Sequence, residues 1–485
     1  MDDGKDDDMG FTNRKQKRYL SELQKSLLLA GPLVAALLSQ KGMQVVNSIV
    51  LGSLGPEALA ASALADSLYG FLWVLGIGIL SAVGVLIARA YGEKNDSSIA
   101  IVFFNSIYIT FLFSIIAISL LWIAPGFLSL LGQEAIVVAE TVKYMHTLIW
   151  GLPALLGFFA LLEFSSSLNH PRIAMYFSLM SIPLVAFANY LFAYGRFGLP
   201  AMGIAGVGIS TALVQWSVFI GFYWYVLRHQ ELGKYLVPSL QSRVSLLTAR
   251  EIFRIGFPAG LINVLETALG FGAAIMMGCF GTVTLAAHQI IMISTTVLCR
   301  FPMALGITSA IRVSQNVGMK KYGRIKPVLY SNLLLGLVLG SIFGVILISS
   351  PETLVGIFLD KSQGDYFEVM GIARSLLVIA AITQLLDYVM STMNGSLRGL
   401  KDTFVPMLIC LSSFWIAGIG GGYLLAFKVH LNGIGVWTGQ VLGLGAASFL
   451  LYLRFNRTHK KVLHDAQSSK TYLVNQEVKT EEHSC

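Results

Sequence analysis

The stretch SLLVIAAITQLLDYVMSTM, residues Ser375–Met393, has the length and composition of a helix that crosses a lipid bilayer. Such a helix needs roughly 20 mostly apolar residues, and this one carries a single full charge, at Asp387. The whole chain shares this character, with 55% apolar and 12% charged residues and a mean hydropathy of +0.70. Soluble proteins carry about 25% charged residues. The composition therefore predicts an all-α polytopic membrane protein.

Apolar runs of similar length recur along the chain and predict twelve transmembrane helices. The predicted spans are 26–51, 59–87, 99–124, 142–166, 173–194, 203–227, 252–278, 283–310, 327–350, 370–394, 403–427 and 432–454. Lys and Arg concentrate in the two tails and in the loops after even-numbered helices, which predicts that both termini are cytoplasmic. This topology and contact with anionic lipid account for the formal net charge of +8, so we expect no nucleic-acid partner.

The second half of the chain repeats features of the first half at an offset of 226 residues. LGSLGPEALAA (Leu51–Ala61) matches MGCFGTVTLAA (Met277–Ala287), and Pro32 matches Pro258. Repeats with an even number of helices share one topology and place transport sites near the bilayer midplane. We therefore predict two pseudo-symmetric six-helix lobes. The predicted segments are a cytoplasmic N-tail (1–25), an N-lobe (26–227), a cytoplasmic linker (228–251), a C-lobe (252–455) and a disordered cytoplasmic C-tail (456–485).

Several full charges fall inside predicted spans, where a charge costs about 2.5–3.5 kcal/mol on insertion scales and marks a functional candidate. Glu266 in predicted helix 7 and Asp387 in predicted helix 10 lie in one half, so they could share a cation or hold a proton as a coupling site. Alternatively, basic neighbours neutralise them for structural reasons. Lys41 and Arg300 favour either ion pairs, with Asp66 and with a C-lobe acid respectively, or contact with an anionic substrate group.

Weaker signals come from polar residues near the ends of predicted helices. Glu163 and Arg374 are interpreted as interfacial, because long side chains near a helix end reach water. His288 and Gln289 begin predicted helix 8, where Gln289 is a candidate for the substrate cavity. The chain carries no ATP-binding motif, which leaves an ion gradient as the energy source. We expect no enzymatic activity and no cofactor apart from Na⁺ or H⁺ as the coupling ion.

Five motifs together resemble the MATE (multidrug and toxic compound extrusion) transporter family, and within it the NorM-like branch. The resemblance covers nearly all of residues 20–455. It is carried by QKGMQVVNSIVLGSLGPEALAA, NYLFAYGRFG, LETALGFGAAIMMGCFGTVTLAAHQ, FPMALGITSAIRVSQNVG and LLDYVMSTMNGSLRGLKD.

This resemblance implies a MATE/MOP-like fold with two lobes around a central cavity, and export of organic compounds in exchange for Na⁺ or H⁺. The helix-7 glutamate and helix-10 aspartate of the family match Glu266 and Asp387, which would carry the coupling and hold Na⁺ where Na⁺ is the ion. The helix-5 asparagine matches Asn189, and the glutamine before the helix-10 acid matches Gln384. Gln40, which begins the first motif, is a further cavity candidate.

The N-lobe departs from the family pattern in ways that bear on the substrate. Asn47 stands where members often carry an aspartate, and an amide cannot cycle a proton, so coupling is expected at the C-lobe acids. Lys41 and Arg300 stand where uncharged residues are expected. They make the cavity less negative, which argues against a purely cationic range of substrates.

The function expected from these patterns is a secondary antiporter that exports cationic or amphipathic organic compounds. The alternatives are a flippase for lipid-linked precursors or an exporter of anionic metabolites, and, as a third class, a receptor or structural membrane protein. The expected partners are a small-molecule substrate and the lipid bilayer, for a monomer in a bacterial inner membrane.

Overall fold

The computed structural model describes residues 3–239, 244–359 and 366–482, and these contain twelve helices that are long and apolar enough to cross a membrane. Helices 1 to 12 are Tyr19–Leu54, Pro56–Gly92, Asp96–Ser129, Ala135–Ser167, Pro171–Phe192, Gly203–Arg228, Leu246–Gly278, Thr282–Gly318, Tyr322–Ser349, Tyr366–Gly399, Phe404–Lys428 and Asn432–Ser468. Each overlaps one predicted span. The prediction of an all-α, twelve-helix membrane protein is confirmed, and the chain is an integral multi-pass membrane protein.

The two lobes share unusual backbone conformations at the predicted offset of 226 residues. Helix 2 and helix 8 both begin after a glycine with positive φ, at Gly55 (φ 123°) and Gly281 (φ 98°). L-residues with a side chain avoid such angles. After the same two helices, Lys94 and Lys320 both adopt φ 57°. The sequence repeat is therefore also a repeat of local structure.

The chain is more helical at both ends than the sequence analysis predicted. Helix 1 is part of a continuous helix, Asp3–Leu54, and helix 12 is part of Asn432–Glu482. The C-tail from 456, which we expected to be disordered, is therefore helical over its described residues, because extending a formed helix avoids the cost of nucleation. The predicted linker contains a short helix, Gln230–Ser239. Residues 1–2, 240–243 and 483–485 of these predicted segments lie outside the described residues.

The burial of each helix shows which surface faces lipid. In helix 3 only 22% of the most apolar window is buried, and large side chains such as Phe111 and Trp122 are exposed. In helix 4, 78% of the corresponding window is buried. An apolar surface of this extent is stable in hydrocarbon, where backbone groups satisfy one another within the helix. Helix 3 therefore lies at the lipid boundary and helix 4 inside the N-lobe.

The lobes meet tightly at the end of the bundle where helices 2 and 8 finish, which we call the terminal end because both chain termini lie on that side. A Cβ atom built on Gly92 would lie 3.0 Å from the backbone nitrogen of Met319, and one built on Gly318 would lie 3.1 Å from that of Glu93. These two contacts are related by the 226-residue offset. The repeated glycines therefore let helices 2 and 8 touch across the pseudo-symmetry axis.

Polar contacts reinforce closure at the terminal end. The buried Glu22 of helix 1 pairs with Arg312 of helix 8 at 2.5 Å, and Gln315 Nε2 donates to the Ser167 carbonyl oxygen at 2.9 Å. Every hydrogen bond that joins helices 1–6 to helices 7–12 within the described ranges lies in this half of the bundle. The lobes are thus locked together at one end.

Helix 8 is interrupted, whereas its counterpart helix 2 is continuous. It consists of Thr282–Leu298 and Arg300–Gly318, with the break at Cys299. Pro302 has no N–H to donate to the carbonyl of residue 298, which weakens the helix at this turn. Helix 2 carries Gly76 at the matching position. Arg300 is the first residue after the break.

Candidate functional site

A cavity of about 790 Å³ lies between the two lobes. Helices 1, 2, 7, 8 and 10 supply most of its walls. Asp66 and Phe271, which are exposed, lie toward the end opposite to the terminal end. On the terminal side, Arg398 Nη1 donates to Ser81 Oγ at 3.1 Å and bridges helices 10 and 2. The cavity is therefore closed on the terminal side and accessible from the other.

Glu266 and Asp387 both line this cavity, from helix 7 and helix 10 of the C-lobe. They interact electrostatically with each other, and Asp387 Oδ1 accepts a hydrogen bond from Ser391 Oγ at 3.2 Å. In the described part of the chain, neither carboxylate makes an ion pair within 4.0 Å. Neither acid is therefore paired directly with a basic group in these residues, although Arg300 attracts Glu266 over a longer range.

The neighbours of these two acids offer oxygen atoms to a small cation. Asn263 and Asn394 line the same wall, and the buried Asn394 Oδ1 has no hydrogen-bond partner. No cluster of three or more His, Cys, Asp or Glu residues suited to a metal ion occurs among the described residues. Hard cations prefer carboxylate and amide oxygens. Glu266, Asp387 and Asn394 therefore supply oxygen atoms that could hold such a cation.

The ion pairs expected for Lys41 and Arg300 are not formed. Lys41 Nζ donates instead to Gln44 Oε1 at 2.7 Å, and Arg300 Nη1 has only a long contact of 3.9 Å with Met303 Sδ. Asp66 lines the same cavity and attracts Lys41 over a longer range. Among the described residues, Lys41, Arg300 and Asp66 therefore line one cavity and interact over a longer range without forming direct ion pairs.

Asn47 and Asn189 come together, but outside the cavity. The Asn189 amide donates to Asn47 Oδ1 at 2.8 Å, and Asn47 Nδ2 donates to Thr211 Oγ1 at 2.9 Å. The network is buried within the N-lobe, where buried polar groups need such partners. Gln40 and Gln384 also lie outside the cavity walls. These four residues, which the sequence analysis placed in the cavity, hold helices together or lie beside it instead.

Gln289 lines the cavity as predicted, and the side chain of its neighbour His288 is held by a hydrogen bond from Trp437. Trp437 Nε1 donates to His288 Nδ1 at 3.2 Å.

Glu163, interpreted above as interfacial, is instead 2% exposed and interacts electrostatically with Arg398. That interpretation was wrong, because helix 4 lies inside the lobe and its end is covered by helix 2. Arg374 is exposed and pairs with Glu352 at 3.0 Å.

The sequence analysis missed the aromatic part of the cavity. Phe71 of helix 2 and Phe271 of helix 7 pack across the lobes with ring centroids 6.3 Å apart. Trp73 also lines the cavity, and its indole nitrogen has no hydrogen-bond partner. An aromatic residue in an apolar helix gives no signal of its own, so only the packing of the helices reveals this wall.

Comparison with known proteins agrees with this architecture. The model of the MatE family matches residues 32–191 and 258–424. A probable multidrug resistance protein NorM from Brucella suis biovar 1 is 31% identical over 460 residues, covering 93% of this chain and 97% of the relative. A protein of the same name from Synechocystis sp. is 30% identical, covering 92% and 98%.

Among solved structures, the eukaryotic MATE transporter AtDTX14 superposes with a TM-score of 0.82, at 21% identity, covering 93% of this chain and all of that one. This likeness extends over both lobes. The family resemblance expected from the sequence motifs is confirmed. The chain belongs to the MatE family of transporters.

Proposed function

We propose that this protein is an ion-coupled antiporter of the bacterial inner membrane that exports organic, drug-like compounds in exchange for Na⁺ or H⁺. The relatives named multidrug resistance protein NorM support the class of substrate. The observation that carries the coupling is the position of Glu266 and Asp387, which face one cavity without an ion-pair partner within 4.0 Å in the described residues. Unpaired acids inside a membrane mark ion pathways.

Exchange follows from competition for these two carboxylates. A coupling cation that binds Glu266 and Asp387 removes the negative charge that would hold the cationic group of a substrate. Two ligands that compete for the same groups are coupled thermodynamically, and the effect of each on the affinity of the other is equal. Entry of the cation from the open side therefore favours release of the substrate to that side.

The test uses proteoliposomes loaded with ethidium, with inward Na⁺ and H⁺ gradients imposed separately. Glu266→Gln and Asp387→Asn should fold and lose gradient-driven efflux, and the wild type should show which ion drives it. Glu57→Gln, an exposed residue in the first turn of helix 2, is the matched control. Full gradient-driven efflux by both Glu266→Gln and Asp387→Asn would refute the coupling proposal.

A further inference from the structure

Lys41 and Arg300 enter the cavity from opposite lobes. Lys41 lies on helix 1 of the N-lobe, and Arg300 follows the break in helix 8 of the C-lobe. The two cations are close enough to repel each other electrostatically. Over the described ranges, neither has a carboxylate within 4.0 Å. Two like charges thus share one partly enclosed space, and the acids Asp66 and Glu266 act on them only over a longer range.

The hydrogen-bonding capacity of this pair is largely unused. An ammonium group has three donors and a guanidinium group five. Lys41 uses one donor on Gln44, at 2.7 Å. Arg300 has only the long contact with a methionine sulfur, and its buried Nε has no partner. Buried donors without acceptors are costly, so both side chains can donate hydrogen bonds to an oxyanion.

The surroundings of the pair indicate what carries that oxyanion. Phe71 and Phe271 form an aromatic wall in the same cavity, and Trp73 adds a further aromatic side chain. The C-lobe acids Glu266 and Asp387 line the same cavity, and Glu266 interacts electrostatically with Arg300. The cavity therefore presents positive donors, flat apolar surface and negative acceptors together, a combination that is complementary to an aromatic molecule bearing both charges.

We propose that Lys41 and Arg300 form a carboxylate-binding subsite, shared by the two lobes, for amphoteric aromatic substrates. The carboxylate accepts hydrogen bonds from both side chains, which relieves their mutual repulsion and ties the lobes together through the substrate. The cationic group of the substrate reaches Glu266 and Asp387, where it competes with the coupling ion. This inference rests on the proposed function, because exchange requires that competition.

A matched pair of ligands isolates the subsite. Rhodamine B carries a carboxylate and a delocalised cation, whereas its ethyl ester keeps the cation and the ring system but lacks the carboxylate. Binding of each dye to detergent-solubilised protein is measured by fluorescence anisotropy. The loss of one charge-assisted hydrogen bond weakens the binding affinity about tenfold or more. Lys41→Gln and Arg300→Gln should each weaken rhodamine B by that factor and change ester binding by less than about twofold.

Two control variants make the outcome decisive. Arg374→Gln removes an exposed positive charge outside the cavity and should change neither dye. Lys41→Arg keeps the positive charge and should restore rhodamine B binding to within about threefold of the wild type. If Lys41 acted only in folding, its substitution would not affect the binding of one dye selectively. Equal losses for both dyes, or no loss for rhodamine B, would overturn the subsite, as would a wild type that binds rhodamine B more weakly than the ester.

Failure of the subsite and failure of the antiporter can be told apart. Gradient-driven efflux of the ester, lost in Glu266→Gln and Asp387→Asn, tests the antiporter without the carboxylate. If that efflux persists in the wild type while the dyes show no selective loss, only the subsite is wrong. If no gradient moves the ester, the proposed function fails for this cation irrespective of Lys41 and Arg300.

Discussion

The contact of Gly92 with Gly318 makes a quantitative prediction about closure of the cavity. A Cβ atom at residue 318 would lie 3.1 Å from the backbone nitrogen of Glu93 and closer still to the Arg89 carbonyl oxygen. Because these neighbours are backbone atoms, the only relief is to move helix 2 away from helix 8. The substitution Gly318→Ala is therefore expected to destabilise the state in which the terminal end is closed.

The size of the effect follows from the cost of overpacking. Extra atoms in a well-packed interface cost about 1–3 kcal/mol, which corresponds to a change of about 5- to 150-fold in an equilibrium constant. This cost falls only on the closed state, since the two glycines separate when the terminal end opens. The population open at that end should therefore rise by the same factor. The Gly92→Ala variant tests the matching contact from the other lobe.

A native cysteine can report this change. Cys299 lines the cavity, so in a background without the other cysteines its alkylation by a membrane-impermeant maleimide measures access from one face. With the reagent on the face that carries the termini, the alkylation rate should rise about 5- to 150-fold in Gly318→Ala. Gly52→Ala is the control, because a Cβ at Gly52 has no neighbour within 4 Å.

An unchanged alkylation rate in a folded Gly318→Ala protein would refute the reasoning. If that variant does not fold, Gln315→Ala provides a milder test of the same closure, since it removes the hydrogen bond to the Ser167 carbonyl. It should raise the alkylation rate in the same direction. A rate that stays unchanged there as well would show that the contacts of helix 8 with helices 2 and 4 do not seal this end.

Three further predictions concern stability and are measured as the thermal unfolding midpoint in detergent. Glu22→Gln leaves Arg312 without its buried counter-ion, a change that costs about 3–5 kcal/mol, and should give the largest fall. Asn47→Ala leaves a buried amide unpaired at a cost of about 1–3 kcal/mol, and should lower the midpoint without altering the ion dependence of transport. Trp437→Phe removes the donor to His288, worth about 1 kcal/mol, and should cause the smallest fall.

These three variants share one control and are judged by their order. Glu57→Gln changes an exposed residue and should leave the midpoint unchanged. A fall for Trp437→Phe that exceeds the fall for Glu22→Gln would contradict the assignment of the ion pair as the stronger contact. A change in ion dependence on Asn47→Ala would place that amide in the coupling site, against its position outside the cavity walls.

The sequence alone was sufficient for the class, the helix count and the repeat. Lipid acts on each helix separately, so a run of about 20 apolar residues is recognisable without its neighbours. The offset of 226 residues was visible in matched glycines and prolines, and it reappears in the φ angles of Gly55 and Gly281. Glu266 and Asp387 were recognised as candidates because few charged side chains occur in the hydrocarbon region of a membrane.

Only the tertiary structure decided which polar residues face the cavity. Lys41 and Asn47 lie six residues apart on helix 1, which places them about 120° apart around its axis. The first faces the cavity and the second faces helices 5 and 6. A helix that is apolar on all sides carries no signal for its own rotation. The rotation of each helix, and with it the unpaired state of Lys41 and Arg300, is set by packing between helices distant in sequence.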